Sequence, residues 1–279
     1  MDDRTLWLVV NAASGSNSEE AVEQLVTGLD GAGYAPVRII RLPEDELPAA
    51  SQLSAAGAAI LVTFTGDGTA GAQIARLHDW GGRVLVLPGG TQNLLAKSFH
   101  GERTAAEIIA LLGRGGLAPR QIAMIRCAPG DALCEIVAGP GATWSDVRET
   151  MRDGDVAGMA ATLTEAIRQT ADGPAVAVVQ PALGKPEGYP AVRLHPVDGA
   201  MAVDGYGAAG LADYARQGVA ILRRDFRQGP HDELGVHPAV LCRSAAPIEL
   251  MLDGERTTGG PEERFEVLPC PVTFLAPAD

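Results

Sequence analysis

The sequence is poor in aromatic residues and carries an excess of negative charge. Its 279 residues include 22 basic and 35 acidic side chains, which gives a formal net charge of −13, and only 4% are aromatic. No stretch is rich in lysine or arginine, although clustered positive charge is what a protein needs to meet the phosphates of nucleic acid or of an anionic membrane. The composition therefore argues against a nucleic-acid-binding protein and against a polybasic membrane-binding segment.

The few cysteines and the short hydrophobic runs argue against a disulfide-rich, a zinc-binding or a membrane-spanning protein. Cys127, Cys134, Cys242 and Cys270 form no C-x-x-C pair, which favours reduced thiols over a disulfide framework or a zinc site. Apolar stretches such as residues 55–62 are far shorter than the roughly 20 residues that a spanning helix needs. The N-terminus is acidic where a signal peptide is basic. We therefore expect a cytoplasmic protein without a transmembrane segment, whose contact with a membrane is peripheral at most.

The first 125 residues alternate apolar, β-branched runs with helical segments. Candidate strands lie at residues 6–10, 37–40, 59–64, 84–87 and 121–125. Candidate helices lie at residues 19–29, 70–78, 92–99 and 105–112. Such alternation is typical of βαβ units around a parallel sheet, whose strands are apolar throughout because both faces are covered. We therefore predict an α/β domain here.

The rest of the chain has a different pattern. Short apolar runs at residues 175–179, 239–242, 248–252 and 265–268 are bounded by glycine, proline and aspartate. Runs of this spacing favour a β sandwich. Two helical stretches, at residues 157–171 and 211–224, depart from an all-β pattern and are expected at its edge.

Three of the predicted parallel strands are followed by turns rich in glycine, serine, threonine and asparagine. Residues 11–16 follow the first strand, residues 65–69 the third and residues 88–93 the fourth. In open α/β sheets ligands bind at the carboxyl ends of the strands. Turns of this composition offer backbone amides, hydroxyls and helix N-termini to a polyphosphate. Each turn alone is also typical of an ordinary connection or helix cap, but three at one edge favour a phosphate site.

Asp67 indicates what kind of phosphate ligand these turns bind, and the sequence argues against two common kinds of nucleotide site. Asp67 lies among these turns and would repel phosphate unless a cation stood between them, so a nucleotide with Mg²⁺ fits both features. A Walker A loop is excluded because neither lysine, Lys97 or Lys185, lies in that motif. A G-x-G-x-x-G at residues 205–210 lies outside the βαβ region, which argues against a dinucleotide site.

Four motifs in order resemble the diacylglycerol kinase-like catalytic family, which includes soluble bacterial lipid kinases and sphingosine kinases. They are N-A-A-S-G at residues 11–15, T-G-D-G-T at 65–69, P-G-G-T-Q-N-L-L-A at 88–96 and D-G-E at 253–255. The resemblance implies an α/β, Rossmann-like ATP-binding domain of the NAD kinase and diacylglycerol kinase type at residues 1–125. It also implies a mostly β sandwich, lipid-binding domain at residues 126–267, with a last strand at about 268–279 that returns to the first domain.

The resemblance also implies roles for individual residues. Asp67 would help hold Mg²⁺, Asp253 would be the catalytic base for a lipid hydroxyl, and Glu255 would be a second catalytic carboxylate that serves the metal or the base. The residues implied at the ATP site are Asn11, Ser14, Gly15, Thr65, Gly66, Gly68, Thr69, Gly89, Gly90, Thr91 and Asn93. The two carboxylates lie on one face only if this segment is extended, which the apolar residues 250–252 before it favour. Without the other motifs, the D-G-E segment is more typical of a hairpin turn with a solvated Glu255.

The sequence thus predicts an ATP- and Mg²⁺-dependent lipid kinase that acts on diacylglycerol, a long-chain base or a similar lipid at a membrane surface. Two alternatives stay open, a non-catalytic nucleotide- or lipid-binding member of the fold and a kinase of a soluble acceptor such as NAD. Thr65 stands where the family has a glycine, and a β-branched residue there restricts the backbone and the space for ATP. A homodimer is compatible with the sequence.

Overall fold

The computed structural model describes residues 4–12, 17–143, 173–207 and 231–278. The chain forms two compact units, one made of Met1–Ile122 with Pro269–Asp279 and the other of Ala123–Leu268. The helical stretches predicted at residues 157–171 and 211–224 lie outside the described residues.

The N-terminal unit contains a six-stranded sheet. With the elements numbered in chain order, its strands are β1 (Leu6–Asn11), β2 (Pro36–Leu42), β3 (Ile60–Thr65), β4 (Arg83–Pro88), β5 (Leu117–Arg120) and β18 (Thr273–Pro277). They lie in the order β2-β1-β3-β4-β18-β5. All neighbours are parallel except β18 and β5, which are antiparallel. The predicted α/β fold with a parallel sheet is confirmed, and the end of the chain adds a strand beside β4.

The strands form where the sequence is continuously apolar. All six residues of β3 are buried, as are five of the six in β1, because both faces of a parallel sheet are covered. The predicted strand at residues 121–125 differs in the structure. The chain leaves the sheet after β5, and residues 123–125 belong to a strand of the second unit. Apolar residues alone do not indicate which of two sheets a strand joins. For this reason the prediction assigned residues 121–125 to the sheet of the N-terminal domain.

Five helices are described in the N-terminal unit. They are α1 (Glu19–Gly31), α2 (Ala50–Ala55), α3 (Asp67–Ala75), α4 (Leu94–His100) and α5 (Ala105–Gly113). The Ser18 side chain caps α1, and Thr104 with Glu107 forms a capping box at α5. The short α2 was not predicted because its alanine and serine residues show no apolar periodicity. Helix α3 begins at Asp67, three residues before the predicted start, because extended Gly66 is its N-cap.

The described residues of the C-terminal unit form two six-stranded sheets. Its strands are β6 (Ala123–Cys127), β7 (Gly130–Ala132), β8 (Ile136–Ala138), β9 (Ala177–Gln180), β10 (Ala182–Leu183), β11 (Ala191–Val197), β12 (Ala200–Tyr206), β13 (Asp232–His237), β14 (Ala239–Arg243), β15 (Glu249–Leu252), β16 (Glu255–Thr258) and β17 (Glu262–Pro269). One sheet has the order β10-β9-β14-β17-β6-β7 and the other β13-β12-β11-β8-β15-β16. The mostly β character predicted for this region is therefore confirmed.

The two sheets of the C-terminal unit share one hydrophobic core. Phe265 and Val240 from one sheet cluster with Val192, Leu194 and Leu250 from the other, and all five are essentially inaccessible to solvent. In the described part of the chain, no helix is both long and apolar enough to cross a membrane.

We expect opposite stability changes from two glycine substitutions in the N-terminal unit. A Cβ at Gly89 would lie 2.5 Å from the backbone of Phe64 and Thr65, whereas a Cβ at Gly71 in α3 meets nothing within 4 Å. Gly89→Ala should lower the free energy of unfolding by about 1–3 kcal/mol through overpacking. Gly71→Ala should raise it by about 0.5–1 kcal/mol because alanine favours a helix interior. Urea midpoints measure both changes, and equal midpoints would contradict the close approach at Gly89.

Candidate active site

The sheet order places a topological switch point between β1 and β3. Strand β2 lies on one side of β1 and β3 on the other, and ligands of doubly wound sheets bind at such a point, outside the carboxyl ends of the strands. Asn11 ends β1, and its side-chain amide donates a 3.0 Å hydrogen bond to the hydroxyl of Thr69 in α3. Two of the predicted turns are thereby joined directly across the switch point.

Asn17 is a site residue that sequence reasoning missed. It is buried, and its side-chain amide donates to the carbonyl oxygens of Asn11 and Phe64, at 2.9 and 2.8 Å. One side chain therefore ties the end of β1 to the end of β3. Its only signal in the sequence is an asparagine next to the Ser18 cap, which is indistinguishable from an ordinary loop residue.

The turn after β4 is held by a close backbone approach and by its own asparagine. A Cβ at Gly90 would lie 2.5 Å from the Cα of Gly66, so the turns after β3 and β4 are in contact. Asn93 has a left-handed backbone (φ 54°), and its side chain both accepts from the Gly90 amide and donates to the Gly90 carbonyl. Thr91, between them, is exposed.

Asp67 connects the two helices that begin at these turns. Its carboxylate accepts a 3.0 Å hydrogen bond from the Leu95 amide in the first turn of α4. Asp67 is itself the first residue of α3, whose N-cap Gly66 supplies no side-chain cap. Amides at the start of a helix favour negative charge, so the α3 N-terminus is suited to an anion.

Thr65 does not strain the turn. It is the last residue of β3, pairs with Pro88 and is buried, and a β-branched residue favours this extended backbone. Its hydroxyl donates to the carbonyl of Gly66. The restriction that a threonine imposes on the backbone therefore agrees with the conformation found.

The structure brings most of the predicted nucleotide residues to one edge of the sheet. Contacts join the turns that contain Asn11, Thr65, Gly66, Gly68, Thr69, Gly89, Gly90, Thr91 and Asn93. Ser14 and Gly15 lie outside the described residues. In the described ranges, no three His, Cys, Asp or Glu side chains form a metal cluster. A Mg²⁺ ion at Asp67 would therefore be bound as Mg²⁺ commonly is with nucleotides, by a carboxylate together with phosphate oxygens.

Asp253 and Gly254 form a two-residue hairpin turn between β15 and β16. Their φ angles are 48° and 95°, the pattern of a type I′ turn, for which Asp-Gly is a preferred pair. The expectation of an extended segment that places both carboxylates on one face is wrong, because the chain reverses between them. Glu255 begins β16 and is exposed.

Backbone amides surround the Asp253 carboxylate. Oδ2 accepts from Leu133 at 2.7 Å, and Oδ1 accepts from Cys134 and Glu135 at 2.8 and 2.9 Å. The Asp253 amide in turn donates to the Glu135 carbonyl. Burial raises the pKa of Asp253 to about 6, and the three amides oppose that rise because they favour the ionised form.

A cavity of about 680 Å³ lies between α1 and α5, on the helical side of the N-terminal unit. Phe64 is the lining residue nearest the strand-end turns, and the rest of the lining is mainly alanine, glycine and aliphatic side chains. Among the described residues of this lining, Arg114 is the only ionisable one.

The comparisons with known proteins agree with this geometry. Residues 5–125, a little under half of the chain, match the diacylglycerol kinase catalytic domain. No curated protein is significantly similar in sequence. A crystal structure of a diacylglycerol kinase from Bacillus anthracis str. Sterne is 14% identical, with a TM-score of 0.66, and the match covers 97% of this chain and 96% of that chain. A second, of a candidate diacylglycerol kinase from the same organism, is 16% identical, with a TM-score of 0.64 and the same coverage.

Both structural matches extend over the two units, so the chain shares the two-domain fold of these proteins over 97% of its length. The match of residues 5–125 covers the three strand-end turns that carry the predicted nucleotide residues. The similarity to the diacylglycerol kinase catalytic domain is therefore carried by residues 5–125, and the remaining residues share only the fold of the two Bacillus anthracis structures.

Proposed function

We propose that this protein is an ATP-dependent lipid kinase that transfers the γ-phosphate to a hydroxyl group of a lipid such as diacylglycerol or a long-chain base. The observation that carries the proposal is the contact among the carboxyl ends of β1, β3 and β4, where Asn11 is hydrogen-bonded to Thr69 and Gly90 contacts Gly66. Phosphoryl transfer asks a protein for positioning and charge stabilisation more than for covalent chemistry.

The N-terminal unit supplies the groups for phosphate binding. Gly66, Gly68 and Thr69 surround the start of α3, where backbone amides and the helix dipole favour an anion. Gly90 and Thr91 add amide and hydroxyl groups from the neighbouring turn. Because Asn17 and Asn93 hold both turns by hydrogen bonds, these donors are oriented before the nucleotide binds.

Asp67 is the carboxylate available for Mg²⁺. The ion, when bound with ATP, neutralises charge on the phosphate oxygens. Asp67 is oriented for this by the Leu95 amide, which occupies one acceptor position on Oδ1. A carboxylate offers about four acceptor positions, so the others remain for a cation.

In the C-terminal unit, Asp253 is the proposed base for the acceptor hydroxyl. A pKa of about 6 keeps the carboxylate mostly ionised near neutral pH and close to the range in which a general base works best. Three backbone amides hold both oxygens in place, and one of the carboxylate's roughly four acceptor positions is left to receive a proton. Glu255, exposed on β16, is proposed as a second carboxylate near it.

A lipid acceptor is supported by the match to the diacylglycerol kinase catalytic domain. The test is transfer of labelled phosphate from Mg·ATP to a total lipid extract in mixed micelles, with products resolved by chromatography. Labelled lipid is expected with the wild-type protein. Labelling that appears only with a soluble acceptor such as NAD, or no labelling despite ATP binding, would contradict the proposal.

Asp253→Asn should lower the rate of transfer by about 10²–10⁴-fold, the usual contribution of a general base, and leave ATP binding intact. Transfer is measured in the micelle assay and ATP binding by calorimetry. Glu262→Gln is the matched control, because Glu262 is a half-exposed carboxylate of the same unit paired with Arg243. Normal turnover in Asp253→Asn would exclude the assigned base.

The rate should also report the ionisation of Asp253. Below about pH 6 the carboxyl is protonated and cannot accept the hydroxyl proton, so kcat/KM should fall about tenfold per pH unit. Above that pH the rate should reach a plateau. A rate that stays constant from pH 5 to pH 7 would be inconsistent with this base.

Gly68→Val should weaken ATP binding by about 10–100-fold, the equivalent of the 1–3 kcal/mol that overpacking costs. The added branches would stand at the start of α3, where the phosphates are proposed to bind. Gly71→Val, one turn further along the same helix, is the control because it faces open space. Equal ATP affinities for the two variants would argue against a phosphate site at the α3 N-terminus.

A further inference from the structure

Glu135 is hydrogen-bonded to Asp253 through its backbone, and its side chain forms an ion pair with Arg193. Its amide donates to Asp253 Oδ1 at 2.9 Å, and its carbonyl accepts from the Asp253 amide at 3.0 Å. Its own carboxylate, with only 3% of the side chain exposed, accepts a 2.9 Å hydrogen bond from Nε of Arg193. A buried ion pair is therefore formed by the side chain of a residue whose own backbone holds the proposed base.

The sheet places these three residues side by side. Strand β8 lies between β11 and β15, with Ile136 opposite both Leu194 and Leu252. Glu135 directly precedes β8, Asp253 directly follows β15, and Arg193 is on β11. The register of three adjacent strands thus fixes the spacing between the base, the carboxylate and the guanidinium.

Arg193 is held from its other side as well. It lies opposite Asp204 on β12, with its guanidinium 3.7 Å from that carboxylate, and only 16% of its side chain is exposed. The guanidinium also interacts with the hydroxyl of Tyr206. Arg193 therefore has a carboxylate on each side, Glu135 and Asp204.

We propose that Glu135 and Arg193 are positioning residues that hold the amide groups on Asp253 and set the electrostatic environment of its carboxylate. This inference rests on the proposed function, in which Asp253 is the base. It assigns a task to a buried ion pair of the C-terminal unit.

Other charges near the hairpin are paired or exposed. In the described part of the chain, the titratable side chains on β7, on the loop before β8 and on the hairpin itself are Asp131, Cys134, Glu135, Glu249, Glu255 and Arg256. Asp131 forms two hydrogen bonds with Arg126, and Glu249 lies 3.6 Å from Arg256. Glu255 is exposed. Glu135 is the charged neighbour that raises the pKa of Asp253.

The pair predicts shifts of opposite sign. Glu135→Gln removes a negative charge and leaves the Arg193 cation, so the pKa of Asp253 should fall. Arg193→Met removes the cation and retains the negative charge of Glu135, so the pKa of Asp253 should rise. The double variant has neither charge and should return to a value near that of the wild-type protein. Arg193→Lys retains the cation and should stay near wild type too.

The measurement is an NMR titration of the Asp253 side-chain carboxyl carbon, assigned by its absence in Asp253→Asn. Arg243→Met is the matched control, because Arg243 belongs to an exposed pair of the same unit and should leave the titration unchanged. The acid limb of kcat/KM in the micelle assay should move in the same direction as the titration for each variant.

A purely structural role predicts another result. If the pair only supported the loop, both single substitutions would loosen the amides and move the pKa of Asp253 in the same direction, upwards. Shifts of the same sign, or no shift in either variant, would therefore overturn the inference. The titration needs neither ATP nor lipid, so it remains decisive even if Asp253→Asn proves active and the proposed function fails.

Discussion

The N-terminal unit depends on a close backbone approach at the carboxyl ends of β3 and β4. Gly89 and Gly90 have no space for a Cβ, because the backbone of Phe64, Thr65 and Gly66 lies within 2.5 Å of where it would be. This approach lets the turn after β4 contact the turn after β3. The orientation of Asp67 towards Leu95 depends on that contact, because α3 and α4 begin where the two turns meet. Larger residues at these two glycines would therefore separate the turns of the proposed phosphate site.

In the C-terminal unit one carboxylate has a structural and a proposed chemical task. The Asp253 side chain accepts hydrogen bonds from three backbone amides of the loop before β8. Burial of this side chain raises its pKa towards neutrality. Asp253 can therefore be both a residue of a hairpin turn and the proposed general base, although the sequence alone presents these as alternative interpretations of the D-G-E motif. The turn supplies the left-handed backbone, and the loop before β8 supplies the environment.

Features that depend on local sequence could be predicted, and features that depend on distant contacts could not. Strands β1, β3 and β4 were predicted because a buried parallel strand is apolar throughout. The start of α3 was placed too late because the turn motif doubles as the first helical turn. Asn17 and Glu135 were missed because each is a single polar residue whose partners, Phe64 and Arg193, lie 47 and 58 residues away. The sheet that residues 123–125 join could not be predicted for the same reason, because an apolar run does not indicate its partner strand.

The energetics of the Glu135–Arg193 pair favour a task other than stability. Removing two charges from water costs free energy that their attraction repays only in part, so a buried ion pair can often be replaced by apolar residues without loss. Apolar residues at these positions could support the loop before β8 equally well. They could not place a negative charge on a residue that is itself hydrogen-bonded to Asp253, together with a cation that offsets it. Electrostatic control of Asp253 is the property that distinguishes the ion pair from an apolar replacement. The direction in which each substitution shifts the pKa of Asp253 is therefore more informative than the contribution of the pair to the free energy of unfolding.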